Sequence, residues 1–420
     1  MTKFDTDFVR SQFPAFSEPS LEGFVHFENA GGSYACRQVV DRLHDYYRTT
    51  KLQPYYDFGP SRDAGELMDS ARDRMAAWLN VASDELHFGP STSQNTYVVA
   101  QALRQHLEPG DELIVTNQDH EANIGSWRRL EASGVVIREW QVNPETAELN
   151  LSDLDNLLNE KTKVVAFTQC SNIIGSINPA KEICEKIHAA GALAFVDAVA
   201  FAPHGLMDID DLGADIYKFS LYKVYGPHLG AMVIRRHVNE ALPNQGHFFN
   251  ESLSGARFTP AGPDHAQIAS VNGVIDYMET IHDHHFGDHL FADPQTEGTG
   301  GTTIEKGRRV HELFQNRERE LVKPLLNYLS NHPKVRIVGK STVENRAPTV
   351  SFTVEGQSSI DIASKLGAQN IGVGVGHCYA YRLIEALGID LDDGVVRTSL
   401  VHYTSEAEVS RLIETLDGVF

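Results

Sequence analysis

The sequence is poor in the residues that mark several large protein classes. Cysteine occurs only four times in 420 residues, at Cys36, Cys170, Cys184 and Cys378. No two of them form a C-x-x-C pair, which argues against a thiolate zinc site, and a chain of this size has no need of a disulfide framework. Basic residues number 36 against 57 acidic ones, for a formal charge of −21. So acidic a chain is a poor partner for nucleic acid or an anionic membrane, although a local pocket for a small anion stays open. No apolar run approaches the roughly 18 residues of a membrane span. The opening stretch, MTKFDTDFVRSQFPAF, has early acids and no apolar core, so it does not read as a secretory signal. The expectation is a soluble, cytoplasmic protein with no metal site.

What is present is enough for a large core. Hydrophobic residues make up 41% of the chain, and its length suits two or three domains. Short β-rich runs cover 112–117, 135–140, 163–169, 192–199, 215–220 and 230–235. Amphipathic helical patterns cover 152–160 and 180–191, the second stopping at a glycine. This alternation predicts an α/β fold with a mainly parallel sheet and helices on both faces. The stretch 282–303 is rich in Gly, Thr, Asp and His and reads as a loop, its histidines solvated rather than metal-bound. After it come a helix from about 304, three short β-rich runs and a terminal helix, the pattern of a smaller α+β unit.

Ligands in such sheets bind beyond the carboxyl ends of the strands. Ser91, Thr92, Ser93, Gln94 and Asn95 follow one strand and precede a helix. They suit a phosphate, although plain helix capping uses the same residue types. Other strand ends bring Asp119 and His120, Ser171 and Asn172, Asp197, and Ser220, Tyr222 and Lys223. Each is commonplace alone: a strand-end Asp usually caps a turn, and a lone Lys is usually solvated. Together they answer the needs of pyridoxal phosphate. That cofactor requires an amine of depressed pKa, a carboxylate for its pyridine nitrogen, a phosphate anchor and a planar group against its ring. Lys218 competes with Lys223 for the amine role, but it lies inside its strand, whereas Lys223 follows the strand end.

The motifs resemble those of the class V aminotransferase and cysteine desulfurase group of fold-type-I pyridoxal phosphate enzymes. The resemblance runs from about Phe27 to the C-terminus. It implies a large cofactor-binding domain with a mainly parallel sheet over 31–285, a linker over 286–303 and a small α+β domain over 304–420. Residues 1–30 would join the small domain and the substrate side. FGPSTSQNTYVVA (88–100) is similar to the phosphate-cradle segment, with Ser91, Thr92, Ser93 and Gln94. DHEANIGSW (119–127) implies His120 over the ring, and CSNIIGSINP (170–179) implies Asn172 beside the ring hydroxyl. FVDAVAFAPH (195–204) carries Asp197 as the pyridine partner. GADIYKFSLYKVYGPHLG (213–230) carries Lys223 as the imine lysine, with Ser220 and Tyr222 toward the phosphate. HFENAGGSY (26–34) implies Asn29, Ala30 and Gly31 near the substrate, and GVVRTSLVHYTSEAEV (394–409) implies Arg397 on its carboxylate, a bidentate task suited to guanidinium.

Four positions depart from the family pattern. Ala200 replaces a Gln or His, Tyr222 replaces a His, and Gly262 replaces a Thr that reaches the partner subunit's phosphate. In GVGVGHCYAYRL (372–383), Tyr379 rather than Cys378 falls where desulfurases carry their persulfide-forming cysteine. Cys378 is then either a displaced nucleophile or a small apolar residue. The resemblance implies a homodimer acting on an amino acid, by desulfurase-like C–S cleavage. Transamination with a keto acid and epimerisation or elimination are the alternatives, and a non-catalytic relative is a further one.

Overall fold

Two sheets organise the chain in the computed structural model, which describes residues 3–205, 207–287 and 302–420. Strand β1 (Val25–Phe27) comes first in the chain and belongs to the smaller sheet. The larger sheet holds β2 (Leu86–Gly89), β3 (Glu112–Thr116), β4 (Val136–Trp140), β5 (Thr162–Thr168), β6 (Leu193–Asp197), β7 (Ile216–Ser220) and β8 (Gly230–Ile234). Their order across the sheet is β2-β8-β7-β6-β5-β3-β4. Strands β3 to β7 pair in parallel, and β8 is antiparallel to both β7 and β2. Two reversals return β2 to the direction of β7. Every strand but β8 therefore ends at one edge of the sheet.

This sheet is covered on both faces, as its near-continuous apolar strands require. Side chains alternate between two apolar clusters with period 2. Ile114, Val165, Val196, Tyr217 and Phe219 pack on one face. Leu113, Val115, Val164, Phe195 and Ile216 pack on the other. Lys218, two residues after Ile216, is directed into this second face, away from solvent.

The smaller sheet adds β9 (Val335–Val338), β10 (Thr349–Val354), β11 (Ile371–Gly376) and β12 (Val395–Ser399), in the order β1-β11-β12-β10-β9. Three of its strands lie in the runs read from the sequence. The other two, β1 and β11, came from segments read only as substrate-side and loop motifs. Both are short and β11 is glycine-rich, and they pair in parallel register, completing each other's hydrogen bonds while β11 also pairs with β12.

Other local expectations shift. The helix after β2 starts at Thr92, so Thr92 to Asn95 are its first turn and only Ser91 stands outside as the cap. The helix Thr303–Asn331 runs past its expected end and takes Pro324 inside it. Burial of Leu321, Val322, Leu325, Leu326 and Leu329 against the smaller sheet offsets the missing N–H. Residues 282–286 close the helix Asn272–Phe286 rather than opening a loop. Their histidines find partners near the N-terminus: His284 stacks on Phe8 at 3.6 Å, and His285 Nε2 accepts the Asp5 N–H at 3.1 Å. Of the stretch expected as a linker, 288–301 lie outside the described residues.

Candidate active site

The shared strand edge gathers side chains from distant parts of the chain. Beyond β2, the Ser91 hydroxyl accepts the Gln94 N–H at 3.2 Å and caps the helix Thr92–His106. Thr92 is buried, with its hydroxyl 3.1 Å from that of Ser220 at the end of β7. Ser93 is half-buried and Gln94 exposed. This close approach depends on Gly230 in β8, where a Cβ would meet the Ser91–Thr92 backbone at 2.5 Å. Hydroxyls and unpaired first-turn N–H groups at a helix N-terminus make a cradle for a phosphate dianion.

Asp197 ends β6 and is buried. One carboxylate oxygen accepts the Val199 N–H at 2.9 Å; the other lies 3.0 Å from Lys218 Nζ. Lys218 is fully enclosed and also donates to Thr96 Oγ1 at 2.6 Å. Its amine is thus committed within the protein.

Beyond β3, Asp119 hydrogen-bonds to Thr116 and takes the Asn123 amide at 3.0 Å. Burial, reinforced by the charge of Asp197, raises its pKa to about 8. His120 follows, its Nδ1 accepting the Ala122 N–H at 3.0 Å. Burial, helped by the positive charge of Lys223, lowers its pKa to about 4, so the ring is a neutral plane at physiological pH.

Lys223 lies in the turn after β7 and is buried. Burial, reinforced by the Arg397 guanidinium, lowers its pKa to about 8. Tyr222, beside it, is half-buried and stacks on His228 at 4.8 Å. The N-terminal segment packs on this turn: the Ser33 N–H donates to the Tyr222 carbonyl at 3.1 Å, and its hydroxyl to the Lys223 carbonyl at 3.0 Å.

Arg397, in β12, is buried: Nη1 donates to the Asn172 carbonyl at 3.1 Å, Nη2 is paired with the Glu28 carboxylate, and Nε has no partner. Gly374 of β11 lies beneath this pair, and a Cβ there would stand 3.1 Å from both Arg397 Nε and Glu28 Oε1. Asn29 is buried, its amide donating to the Ser399 carbonyl at 2.9 Å and its oxygen accepting from Tyr403. The Ala30 N–H donates to the Ser399 hydroxyl at 2.7 Å, and Gly31 leaves the room that the Glu28 carboxylate fills.

Asn172, early in the loop after β5, donates to the Cys378 carbonyl at 2.9 Å while its own oxygen is buried without a partner. Cys378 itself is half-buried, with φ +43°, and burial raises its thiol pKa. Tyr379 is exposed and stacks on His120 with centroids 5.2 Å apart.

On their own chemistry these residues fit pyridoxal phosphate. The paired hydroxyls suit its phosphate, the orphaned Asn172 oxygen suits a ring hydroxyl, and Lys223 offers an amine free to react near neutrality. Fold and site together define a fold-type-I pyridoxal phosphate-dependent enzyme.

Comparison with known proteins agrees. The family "Aminotransferase class-V" matches residues 25–289 and 310–412, and the chain belongs to that family. It is 35% identical to the aminotransferase-like protein FGM3 of Gibberella zeae, covering 100% of this chain and 99% of that one. It is 27% identical to a cysteine desulfurase of Serratia proteamaculans, covering 99% and 98%. Its fold matches the apo cysteine desulfurase of Thermococcus onnurineus NA1 with TM-score 0.85, at 24% identity over 100% and 99% of the two chains.

Sequence reasoning missed Glu28 and Thr96. An acid within HFENAGGSY, in a segment assigned to the substrate side, was the available signal for Glu28. Thr96 carried none, since a hydroxyl one turn into a helix is ordinary.

Proposed function

We propose that the protein cleaves the C–S bond of cysteine or a related amino acid, as a cysteine desulfurase-like enzyme. The observation that carries this reading is the buried Lys223 amine, with its pKa lowered to about 8, enclosed with Asp197 and Arg397. Pyridoxal phosphate, when bound, supplies an electron sink for bonds broken at the substrate α-carbon. The chain's own residues do the rest. Ser91, Thr92, Ser93, Gln94 and Ser220 would hold the phosphate, with Tyr222 beside them. With the cofactor bound, His120 would lie against the ring, Asn172 would meet its hydroxyl and Asp197 its nitrogen. Arg397 grips the substrate carboxylate, with Asn29, Ala30 and Gly31 lining the approach. Lys223 removes the α-proton, and a pKa near working pH suits that task.

Cys378 is the less favoured nucleophile, because burial keeps its thiol protonated. This supports C–S cleavage by elimination, the sulfur leaving as hydrosulfide rather than as a persulfide on that residue, and it keeps transamination as the second reading. The same proposal includes a cytoplasmic homodimer. Exposed Tyr47, Tyr56, Phe58, Tyr97, Phe248 and Phe249 supply apolar surface for such an interface. No helix among the described residues is long and apolar enough to cross a membrane.

The deciding experiment is an absorbance scan of the purified protein before and after L-cysteine, with sulfide assayed in the same tube. A visible band that shifts, with sulfide formed, is expected. A shift without sulfide, reversed by a keto acid, would move the assignment to transamination. No band after adding pyridoxal phosphate would overturn the cofactor reading.

A further inference from the structure

The turn that carries Lys223 is held from behind by a residue that follows β12. Tyr225, two residues after Lys223, has φ +68°, a left-handed backbone that a residue with a bulky side chain adopts only when its surroundings hold it there. The turn closes on itself through the Val224 and Gly226 N–H groups, which both donate to the Leu221 carbonyl, at 3.0 and 2.9 Å. The Tyr225 carbonyl accepts the Cys36 N–H at 3.0 Å. Its side chain is fully buried, with the hydroxyl 3.0 Å from Nδ1 of His402. The other ring nitrogen of His402, Nε2, lies 2.5 Å from the Tyr277 hydroxyl, and the ring stacks on Phe314 at 3.6 Å. His402 and Tyr277 are fully buried as well.

One arrangement of hydrogens satisfies these groups together. Burial holds the His402 pKa well below its ordinary value, so the ring is neutral, with one N–H and one lone pair. The Tyr277 hydroxyl has no other partner among the described residues, so it donates to Nε2. The Nδ1–H then donates to the Tyr225 oxygen, and the Tyr225 hydrogen points to the Pro203 carbonyl at 3.5 Å. The chain of bonds runs in one direction, from the helix Asn272–Phe286 through the segment after β12 and the Lys223 turn to the loop after β6. The last three of these follow Arg397, carry Lys223 and follow Asp197. We propose that His402 is a positioning residue that acts through Tyr225, holding the Lys223 turn in the conformation that encloses the amine. This goes beyond the proposed reaction but rests on its reading of Lys223 as the reactive amine. The physical reason is the left-handed Tyr225. Packing of its ring is non-directional; the bond from His402 fixes where the ring points, and with it the backbone. Without that bond the steric cost at Tyr225 is unopposed, so the turn relaxes and Lys223 reaches water. The charged and titratable groups that act on Lys223 are Arg397, Asp197, Glu28 and Cys170, and His120 faces it. None of these bonds to Tyr277, His402 or Tyr225, so changes in the chain leave them in place.

The test reads the Lys223 amine in the full-length protein. Capture of pyridoxal phosphate by the cofactor-free chain is followed by absorbance from pH 6 to pH 10 in the wild type, Tyr225→Phe, His402→Phe and His402→Gln. Acetylation of Lys223 by dilute acetic anhydride, quantified by peptide mass spectrometry, reads the same amine without the cofactor. The wild-type profile should level above about pH 8. In Tyr225→Phe and His402→Phe it should move toward the ordinary lysine value of about 10.4, slowing capture at pH 7 about tenfold for each pH unit moved. His402→Gln keeps one donor and one acceptor and should stay close to the wild type. A purely structural role would lower the melting temperature and leave the profile in place. Wild-type profiles in both folded phenylalanine variants would therefore overturn the proposal. If His402→Phe does not fold, Tyr225→Phe, which loses a single oxygen, decides alone. Failure of the wild type to capture the cofactor would overturn the reading of the site instead, and the acetylation profiles would still decide this inference.

Discussion

The Glu28 carboxylate lies on the Arg397 guanidinium, 369 residues away in the chain. The group proposed to grip the substrate carboxylate is therefore met by a carboxylate of the protein itself. Of the three nitrogens of this guanidinium, Nε alone is buried without a partner. A substrate carboxylate that uses the Nε–Nη2 edge must displace Glu28. The Glu28→Gln variant keeps the shape and removes the competing charge. Its KM for the amino-acid substrate should fall about tenfold, equivalent to about 1.4 kcal/mol. Spectral titration of the cofactor band with substrate measures this directly, and an unchanged or weakened affinity would show that Glu28 does not compete.

Lys223 should control reactivity with pH. Burial and the Arg397 charge place its pKa at about 8. The amine reacts only when unprotonated, so cofactor-free protein should take up pyridoxal phosphate faster as pH rises, levelling above about pH 8. Stopped-flow absorbance from pH 6 to pH 10 follows this. A profile that levels only near pH 10.5 would mean an ordinary, solvated lysine. Lys223→Ala should lose the visible band and lower turnover by about 10²–10⁴-fold, the usual worth of a positioned proton-transfer group.

Cys378 gives a separate outcome. Its thiol is half-buried and its pKa is raised, which disfavours the thiolate. Cys378→Ala should keep turnover within about threefold of the wild type, since no thiolate nucleophile is lost. Loss of sulfide formation in a variant that still shows the substrate-induced spectral shift would reinstate Cys378 as the sulfur acceptor.

Asp119 should link stability to pH. Its folded pKa, about 8, lies well above the ordinary carboxylate range, chiefly through burial. The folded state therefore holds a proton that the unfolded chain has released. This contribution is fully present below about pH 4 and is lost as pH rises to about 8, at up to about 1.4 kcal/mol per pH unit. Asp119→Asn cannot ionise, and its amide can still donate to Thr116 and accept from Asn123. Denaturant melts should show the variant gaining on the wild type between pH 5 and pH 8. A constant difference across that range would place the titration elsewhere.

Much of this enzyme was legible in the sequence. Period-2 and period-3.6 patterns located most strands of the larger sheet and several helices, because apolar burial on a covered sheet leaves a direct imprint on the chain. The residues at strand ends followed from the same reading, since parallel strands finish at one edge and carry their loops there. Boundaries were less legible. Nothing local separates Thr92 in a first helical turn from Thr92 in a loop; the Ser91 cap decides it.

What the tertiary structure alone decided is which of these residues meet. Lys218 reads as an ordinary strand residue until β6 lies beside β7 and sets it opposite Asp197. Glu28 and Arg397 come together because β12 lies next to β11, and β11 next to β1, just ahead of Glu28. Tyr379 reaches His120 because a turn with left-handed backbone at Cys378 and Tyr379 carries it there. Periodicity records whether a side chain is buried, not what it is buried against. Charge pairing across a sheet depends on strand order and register, and those are fixed only when the whole chain has packed.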